Sequence, residues 1–198
     1  MRKKLAKLTS NILNPFLVSF AVIVLLSFES TSSNLDALKW ALISLVLSVL
    51  PVFAVVVYLV RKKKLDDIFV NSRRQRNKIY LLACTMAVIG WVILHFLGAP
   101  VLLMATFAAG LAAIVIFTVT NLLWKISLHT AFIAASITIL IIVYRLPGAL
   151  AVLLLPPVTW ARMEMKLHTP AQVAAGALLA VAVVVLVFHF FGLIGTRA

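Results

Sequence analysis

Long apolar runs alternate with short polar interruptions along the whole chain. The runs cover residues about 12–28, 37–60, 79–97, 101–123, 127–144, 148–159 and 170–192. Because a membrane-spanning helix needs about 20 mostly apolar residues, this pattern predicts helices that cross a bilayer. We therefore expect an all-α, polytopic transmembrane helical bundle of about six to seven helices, with any site at one membrane face.

Proline and glycine mark where these helices should bend or end. Pro51 lies inside the second run, where its missing N–H predicts a kink that neighbouring membrane helices can tolerate. The segments Gly98-Ala99-Pro100 and Arg145-Leu146-Pro147-Gly148 predict tight turns between consecutive helices.

The composition agrees with a membrane protein. Of the 198 residues, 64% are hydrophobic, and the apolar runs leave no room for a separate soluble domain, so a single domain over residues 1–198 is predicted. The chain has 18 Lys and Arg against 5 Asp and Glu. These bases lie at the ends of apolar runs and not along one soluble face, which argues against nucleic acid and favours the membrane bilayer, with its anionic lipid phosphates, as the partner.

The number of spans decides which interruptions share a membrane face. With seven spans, one face carries the N-terminus and the stretches 61–78, 124–130 and 160–169. The basic residues that fall on the opposite face are only Lys39, Arg145 and Arg197. The positive-inside rule then makes the shared face cytoplasmic. We expect an integral protein of a prokaryotic cell membrane, with its site at that cytoplasmic face.

The stretch 160–172 places charged and polar residues between two apolar runs. Arg162 and His168 lie six positions apart within it. Ionisable groups at the edge of a span are costly unless they pair or face a water-filled cavity, so the stretch indicates a functional site. The alternative is a short interfacial loop whose Arg162 and Lys166 contact lipid headgroups.

The stretch 124–130 brings a lysine, a serine and a histidine to the start of the fifth run, at Lys125, Ser127 and His129. A hydroxyl, an imidazole and the exposed amides of a helix N-terminus can all face a bound anion. The alternative is that Ser127 only caps the helix and His129 only lies at the membrane interface.

The most hydrophilic stretch is 61–78. Its first four residues are all basic, which is typical of a topology signal. Further along, Arg73 and Arg76 are three positions apart, so on a helical turn both guanidinium groups could clamp one phosphate.

In this order, the three stretches resemble the signatures of the type 2 phosphatidic acid phosphatase superfamily. Arg162-x5-His168-x3-Gln172 resembles the third signature, Ser-Arg-x5-His-x3-Asp, and Ile126-Ser127-Leu128-His129 resembles the second, Pro-Ser-Gly-His. Asp67-Ile68 with Arg73-Arg74-Gln75-Arg76 resembles the Asp-Leu/Ile and Arg-Glu-Glu-Arg form of the first. The resemblance covers about residues 60 to 190.

The resemblance implies a role for each matching residue. His168 would attack phosphorus to give a phosphohistidine, and His129 would protonate the leaving alkoxide and later activate water. The phosphoryl oxygens would be held by Arg73, Arg76, Ser127 and Arg162, with Lys125 as an additional candidate. Gln172 stands where the family has the Asp that orients the nucleophilic imidazole. Its amide oxygen could still accept the imidazole N–H, but it supplies no charge.

The sequence therefore predicts a metal-independent membrane phosphatase that hydrolyses a lipid or polyprenyl phosphate or diphosphate. No metal or other cofactor is expected, because Glu164 is isolated and Asp66 and Asp67 are flanked by bases. Guanidinium groups, hydroxyls and helix amides can stabilise the phosphoryl charge instead.

Two alternatives stay open. One is a catalytically silent relative that binds anionic lipid or a membrane protein partner, which Gln172 favours. The other is a small transporter, which is disfavoured because the ionisable residues gather at one face and not at mid-membrane. A homo-oligomer is compatible with every interpretation.

Overall fold

The computed structural model describes residues 1–65, 68 and 73–195, apart from the side chains of residues 73, 74 and 76. Every regular element within this part of the chain is helical. The helices are α1 (Arg2–Ile12), α2 (Pro15–Glu29), α3 (Asn34–Leu47), α4 (Val49–Arg61), α5 (Arg73–Phe96), α6 (Val101–Leu123), α7 (Leu128–Tyr144), α8 (Leu146–Ala149), a 3-10 segment (Leu150–Leu154), α9 (Leu155–Glu164) and α10 (Pro170–Phe190). The predicted all-α architecture is confirmed.

Six helical segments among the described residues are long and apolar enough to cross a membrane. They are Arg2–Glu29, Asn34–Arg61, Asn77–Phe96, Val101–Leu123, Leu146–Glu164 and Pro170–Phe190. The helix α7 is equally apolar but has only 17 residues, or about 26 Å at 1.5 Å per residue. This is slightly less than the roughly 30 Å of a bilayer core, so the predicted fifth span is the shortest.

The basic N-terminal segment is helical, which the hydropathy pattern did not predict. The helix α1 ends at Ile12, and the Asn14 side-chain oxygen then accepts hydrogen bonds from the backbone N–H groups of Phe16 (2.9 Å) and Leu17 (3.0 Å). Pro15 begins α2, where a missing N–H costs nothing. The Asn-Pro pair therefore divides the first helical segment into α1 and α2.

A kink was predicted at Pro51, and the structure has an interruption of the helix just before the proline. The helix α3 ends at Leu47 and α4 begins at Val49, while Ser48 leaves the helical region with φ −124° and ψ −73°. Pro51 cannot donate to the carbonyl four residues earlier, which belongs to Leu47.

The sixth helix runs further than its hydropathy predicts. We expected it to end near Thr159, but α9 continues to Glu164 because Ala, Arg, Met and Glu all favour helix. Two residues after its end, Lys166 adopts a left-handed φ of 55°. The Leu167 N–H donates to the Arg162 carbonyl (3.2 Å), as in a Schellman motif. The predicted polar loop is therefore short, and Arg162 lies on a helix.

The contacts divide the described chain into two compact units, one formed by residues 1–22 and 125–195 and the other by residues 23–124. In the second unit, α5 packs against α6, and the Asn121 amide donates to Asn77 Oδ1 at 2.8 Å. In the first unit, α7 packs against α10 and α1 packs against α9. Buried Ile133, Ile137 and Val158 form an apolar core in that unit.

Candidate functional site

Ser127 caps the N-terminus of α7. Its hydroxyl accepts a hydrogen bond from the Thr130 N–H at 3.5 Å and lies 2.9 Å from the Thr130 hydroxyl. Both residues are buried. The capping role weighed as an alternative for Ser127 is thus present, and it sets His129 in the first turn of α7. His129 is also buried within the protein.

The start of α7 is joined to the start of α10 through the backbone. The Ser127 N–H donates to the Gln172 carbonyl at 3.2 Å. One turn further along α10, Gly176 lies so close that a Cβ there would stand 2.7 Å from the Ser127 carbonyl oxygen. Only a residue without a side chain permits this approach. The stretches 124–130 and 160–172, which the seven-span topology predicted to share one membrane face, are in contact.

Lys125 makes a second link between these stretches. Its ammonium group donates to the Leu167 carbonyl at 3.4 Å, directly before His168. His168 itself is 8% exposed. The segment that carries Lys125 therefore contacts the segment that carries His168.

Arg162 lies in the last turn of α9 and is buried, with 4% of its surface exposed. Its Nη1 donates to the Ser10 hydroxyl of α1 at 2.9 Å. A charged group at this depth does not contact lipid headgroups, so the interfacial interpretation is wrong for Arg162. It fits Lys166, which is exposed.

Gln172 does not hold the His168 imidazole in the way that its spacing predicted. The helix α10 begins at Pro170, so His168 precedes the helix and the two side chains do not share a helical face. The Gln172 side-chain oxygen instead accepts from the Thr169 backbone N–H at 3.1 Å, and the Gln172 N–H donates to the Thr169 hydroxyl at 3.3 Å. This is a capping box, which a Thr-x-x-Gln spacing before an apolar run predicts.

The structure does not test the two arginines of the first stretch. The helix α5 begins at Arg73, but the side chains of Arg73 and Arg76 lie outside the described part of the chain. Their predicted contact with phosphate stays a prediction.

Ser10 is the site residue that the sequence analysis missed. It is buried, and it belongs to a basic helix that hydropathy assigned to a polar N-terminal segment. A signal was present, because Ala6 and Ser10 are small residues four positions apart, which share one helical face. Nothing in the local sequence pairs Ser10 with Arg162, however.

The described site is rich in hydrogen-bond donors. It combines a guanidinium group, an ammonium group and two buried imidazoles with the N-terminal ends of α7 and α10, where the helix dipole favours negative charge. Such a set suits an oxyanion with several oxygens. No family model, curated protein or solved structure matches this chain.

Proposed function

We propose that this protein is a metal-independent membrane phosphatase that hydrolyses a lipid or polyprenyl phosphate or diphosphate through a phosphohistidine intermediate. The observation that carries the proposal is the joining of two stretches that are far apart in sequence. The stretch with Ser127 and His129 contacts the stretch with Arg162 and His168, and all four side chains are buried in one unit.

In the proposed reaction, an imidazole nitrogen of His168 attacks phosphorus, and the bond from phosphorus to the leaving oxygen breaks. His129 donates a proton to that oxygen. In the second step, His129 removes a proton from water, the water oxygen attacks phosphorus, and the bond between phosphorus and His168 breaks to release phosphate. General acid and base help of this kind contributes about 10² to 10⁴-fold to the rate.

The remaining residues would stabilise the phosphoryl group. Its transition state spreads negative charge over the equatorial oxygens, so fixed donors and cations can lower the barrier without covalent chemistry. Arg162 and Lys125 supply positive charge, and Ser127 brings its hydroxyl and the start of α7. The phosphate-binding roles that the resemblance implies for Arg73 and Arg76 stay predictions.

A second function is favoured by one specific observation. Because the Gln172 oxygen caps α10, it does not orient the His168 imidazole as the Asp of the resembling signature would. A catalytically silent protein that binds a phosphate-bearing lipid at the same donors is therefore the competing proposal.

Phosphate release separates the two proposals. The purified chain in detergent should release phosphate from phosphatidic acid or from a prenyl phosphate or diphosphate with EDTA present. His168→Ala should abolish release and the acid-labile phosphoenzyme, and His129→Ala should lower the rate about 10² to 10⁴-fold.

His189 on α10 offers a matched control, because it is an exposed histidine of the same unit. His189→Ala should leave the rate unchanged. Binding of these lipids by the wild type without any phosphate release would support the silent alternative instead. A normal rate of phosphate release by folded His168→Ala protein would rule out the phosphohistidine mechanism.

A further inference from the structure

A hydroxyl group of the first helix contacts the candidate site. The Ser10 hydroxyl accepts a hydrogen bond from Arg162 Nη1 at 2.9 Å, although the two residues are 152 positions apart. Ser10 is 2% exposed and Arg162 is 4% exposed. This contact links α1 to the one arginine of the proposed site whose side chain is described.

The buried and exposed faces of α1 show that helix packing alone does not require a hydroxyl group at position 10. Ala6 and Ser10 form the buried face, and α1 packs against α9. The opposite face is apolar and exposed at Leu5, Leu8 and Ile12. An alanine in place of Ser10 would suit helix packing equally well, whereas a buried hydroxyl is costly unless it is hydrogen-bonded. The structure thus uses a polar group where packing alone does not need one.

We infer that Ser10 is a positioning residue that fixes the orientation of the Arg162 guanidinium group for binding a phosphoryl group. The inference rests on the proposed function. A guanidinium group has five N–H donors in one plane, so a fixed bond at Nη1 restrains that plane. Less side-chain freedom is then lost when this guanidinium group binds a phosphoryl group.

The chemistry of the acceptor supports this role. A serine hydroxyl is neutral, so the bond to Ser10 does not itself neutralise the positive charge of Arg162. A carboxylate at position 10 would neutralise that charge and compete with the phosphoryl group. The four basic residues of α1, which are Arg2, Lys3, Lys4 and Lys7, are exposed and add no negative charge near Arg162.

The competing explanation is that the Ser10 bond only fastens α1 to α9. The two explanations differ in what Ser10→Ala does to binding of the anion. If Ser10 positions Arg162, the kcat/KM for phosphate release should fall about tenfold in Ser10→Ala, and inhibition by inorganic orthovanadate should weaken by a similar factor. Ser10→Thr keeps the hydroxyl and should retain most of the activity.

A double-mutant cycle tests whether Ser10 acts through Arg162. In an Arg162→Ala background, measured in single turnover, adding Ser10→Ala should change the rate by less than about twofold, because its partner is already absent. Ser27 on α2 is a matched control, since it is a fully buried helical serine that donates to the Ile23 carbonyl. Ser27→Ala should leave orthovanadate inhibition unchanged.

The outcomes separate the positioning role of Ser10 from the proposed phosphatase function. An active wild type with unchanged kcat/KM and orthovanadate inhibition in Ser10→Ala would overturn the positioning role alone. An equal rate loss from Ser10→Ala with and without Arg162, together with a lower Tm, would assign Ser10 to fastening and also overturn it. A wild type that releases phosphate from none of the lipid phosphates would overturn the proposed function and this inference together.

Discussion

Gly176 lies where α10 closely approaches the cap of α7, and one methyl group there should separate the two helices. A Cβ at this position would stand 2.7 Å from the Ser127 carbonyl oxygen and 3.4 Å from the Ser127 nitrogen. Both atoms belong to the backbone, so no flexible side chain can move aside. Gly176→Ala therefore tests whether this close approach holds the candidate site together.

Two opposing effects set the size of the change. Alanine is favoured over glycine in a helix by about 1 kcal/mol. Against this, forcing a methyl group into a packed contact costs about 1–3 kcal/mol, and losing the hydrogen bond from Ser127 to Gln172 costs about 0.5–1.5 kcal/mol. The free energy of unfolding of Gly176→Ala should thus be lower than that of the wild type by roughly 0.5–3.5 kcal/mol.

Gly110 provides a matched control on another helix. It lies within α6, and a Cβ there would meet no atom within 4 Å. Gly110→Ala should show the helix-propensity effect alone, a gain of up to about 1 kcal/mol. The two variants should therefore differ by roughly 1.5–4.5 kcal/mol, and this difference isolates the contact with Ser127.

The measurement is thermal unfolding of both variants in the same detergent, combined with phosphate release. We expect Gly176→Ala to have the lower Tm and to lose at least about tenfold in kcat/KM, because small displacements of groups that bind the reacting centre are costly. If Gly176→Ala is as stable and as active as Gly110→Ala, the close approach of α7 and α10 does not hold the site.

Three further predictions concern the ends of the site stretch and its sidedness. Gln172→Ala should lower the free energy of unfolding by about 0.3–1.5 kcal/mol through the lost cap and leave kcat nearly unchanged. Gln172→Glu should keep the cap. A tenfold fall of kcat in folded Gln172→Ala would instead show that the amide acts on His168. Lys166→Gly should raise the free energy of unfolding by about 1 kcal/mol, because the left-handed φ of Lys166 strains a side-chain-bearing residue, and a lower Tm would contradict this. Lys166→Cys in a Cys84→Ala background should react with a membrane-impermeant thiol reagent only after the cells are permeabilised. Labelling in intact cells would show that the topology is the reverse of the predicted one.

Local signals in the sequence account for most helix boundaries. Apolar run length predicted the long apolar helices, and Pro51 predicted a kink in the segment that the structure divides into α3 and α4. The Asn14-Pro15 cap and the Thr169-x-x-Gln172 capping box are also local signals, since they depend on neighbours within one turn, although we predicted neither. Hydropathy misplaced the end of α9 because it records preference for the bilayer, whereas the helix continues as long as its residues favour helical backbone.

The contacts that form the candidate site, unlike the helix caps, join residues that are far apart in the sequence. In a bilayer, lipid is as apolar as leucine, so an apolar run specifies that a helix spans but not which of its faces meets another helix. Proximity of Ser127 to Gln172 depends on the missing side chain at Gly176, and the Arg162 guanidinium group is bonded to Ser10, 152 residues away. The sequence alone therefore determined the helices and the residue types that could hold an anion. Tertiary packing alone decided that the Ser127 N–H meets the Gln172 carbonyl and that Ser10 binds Arg162, because hydrogen bonds between distant residues form only after the helices that carry them have packed.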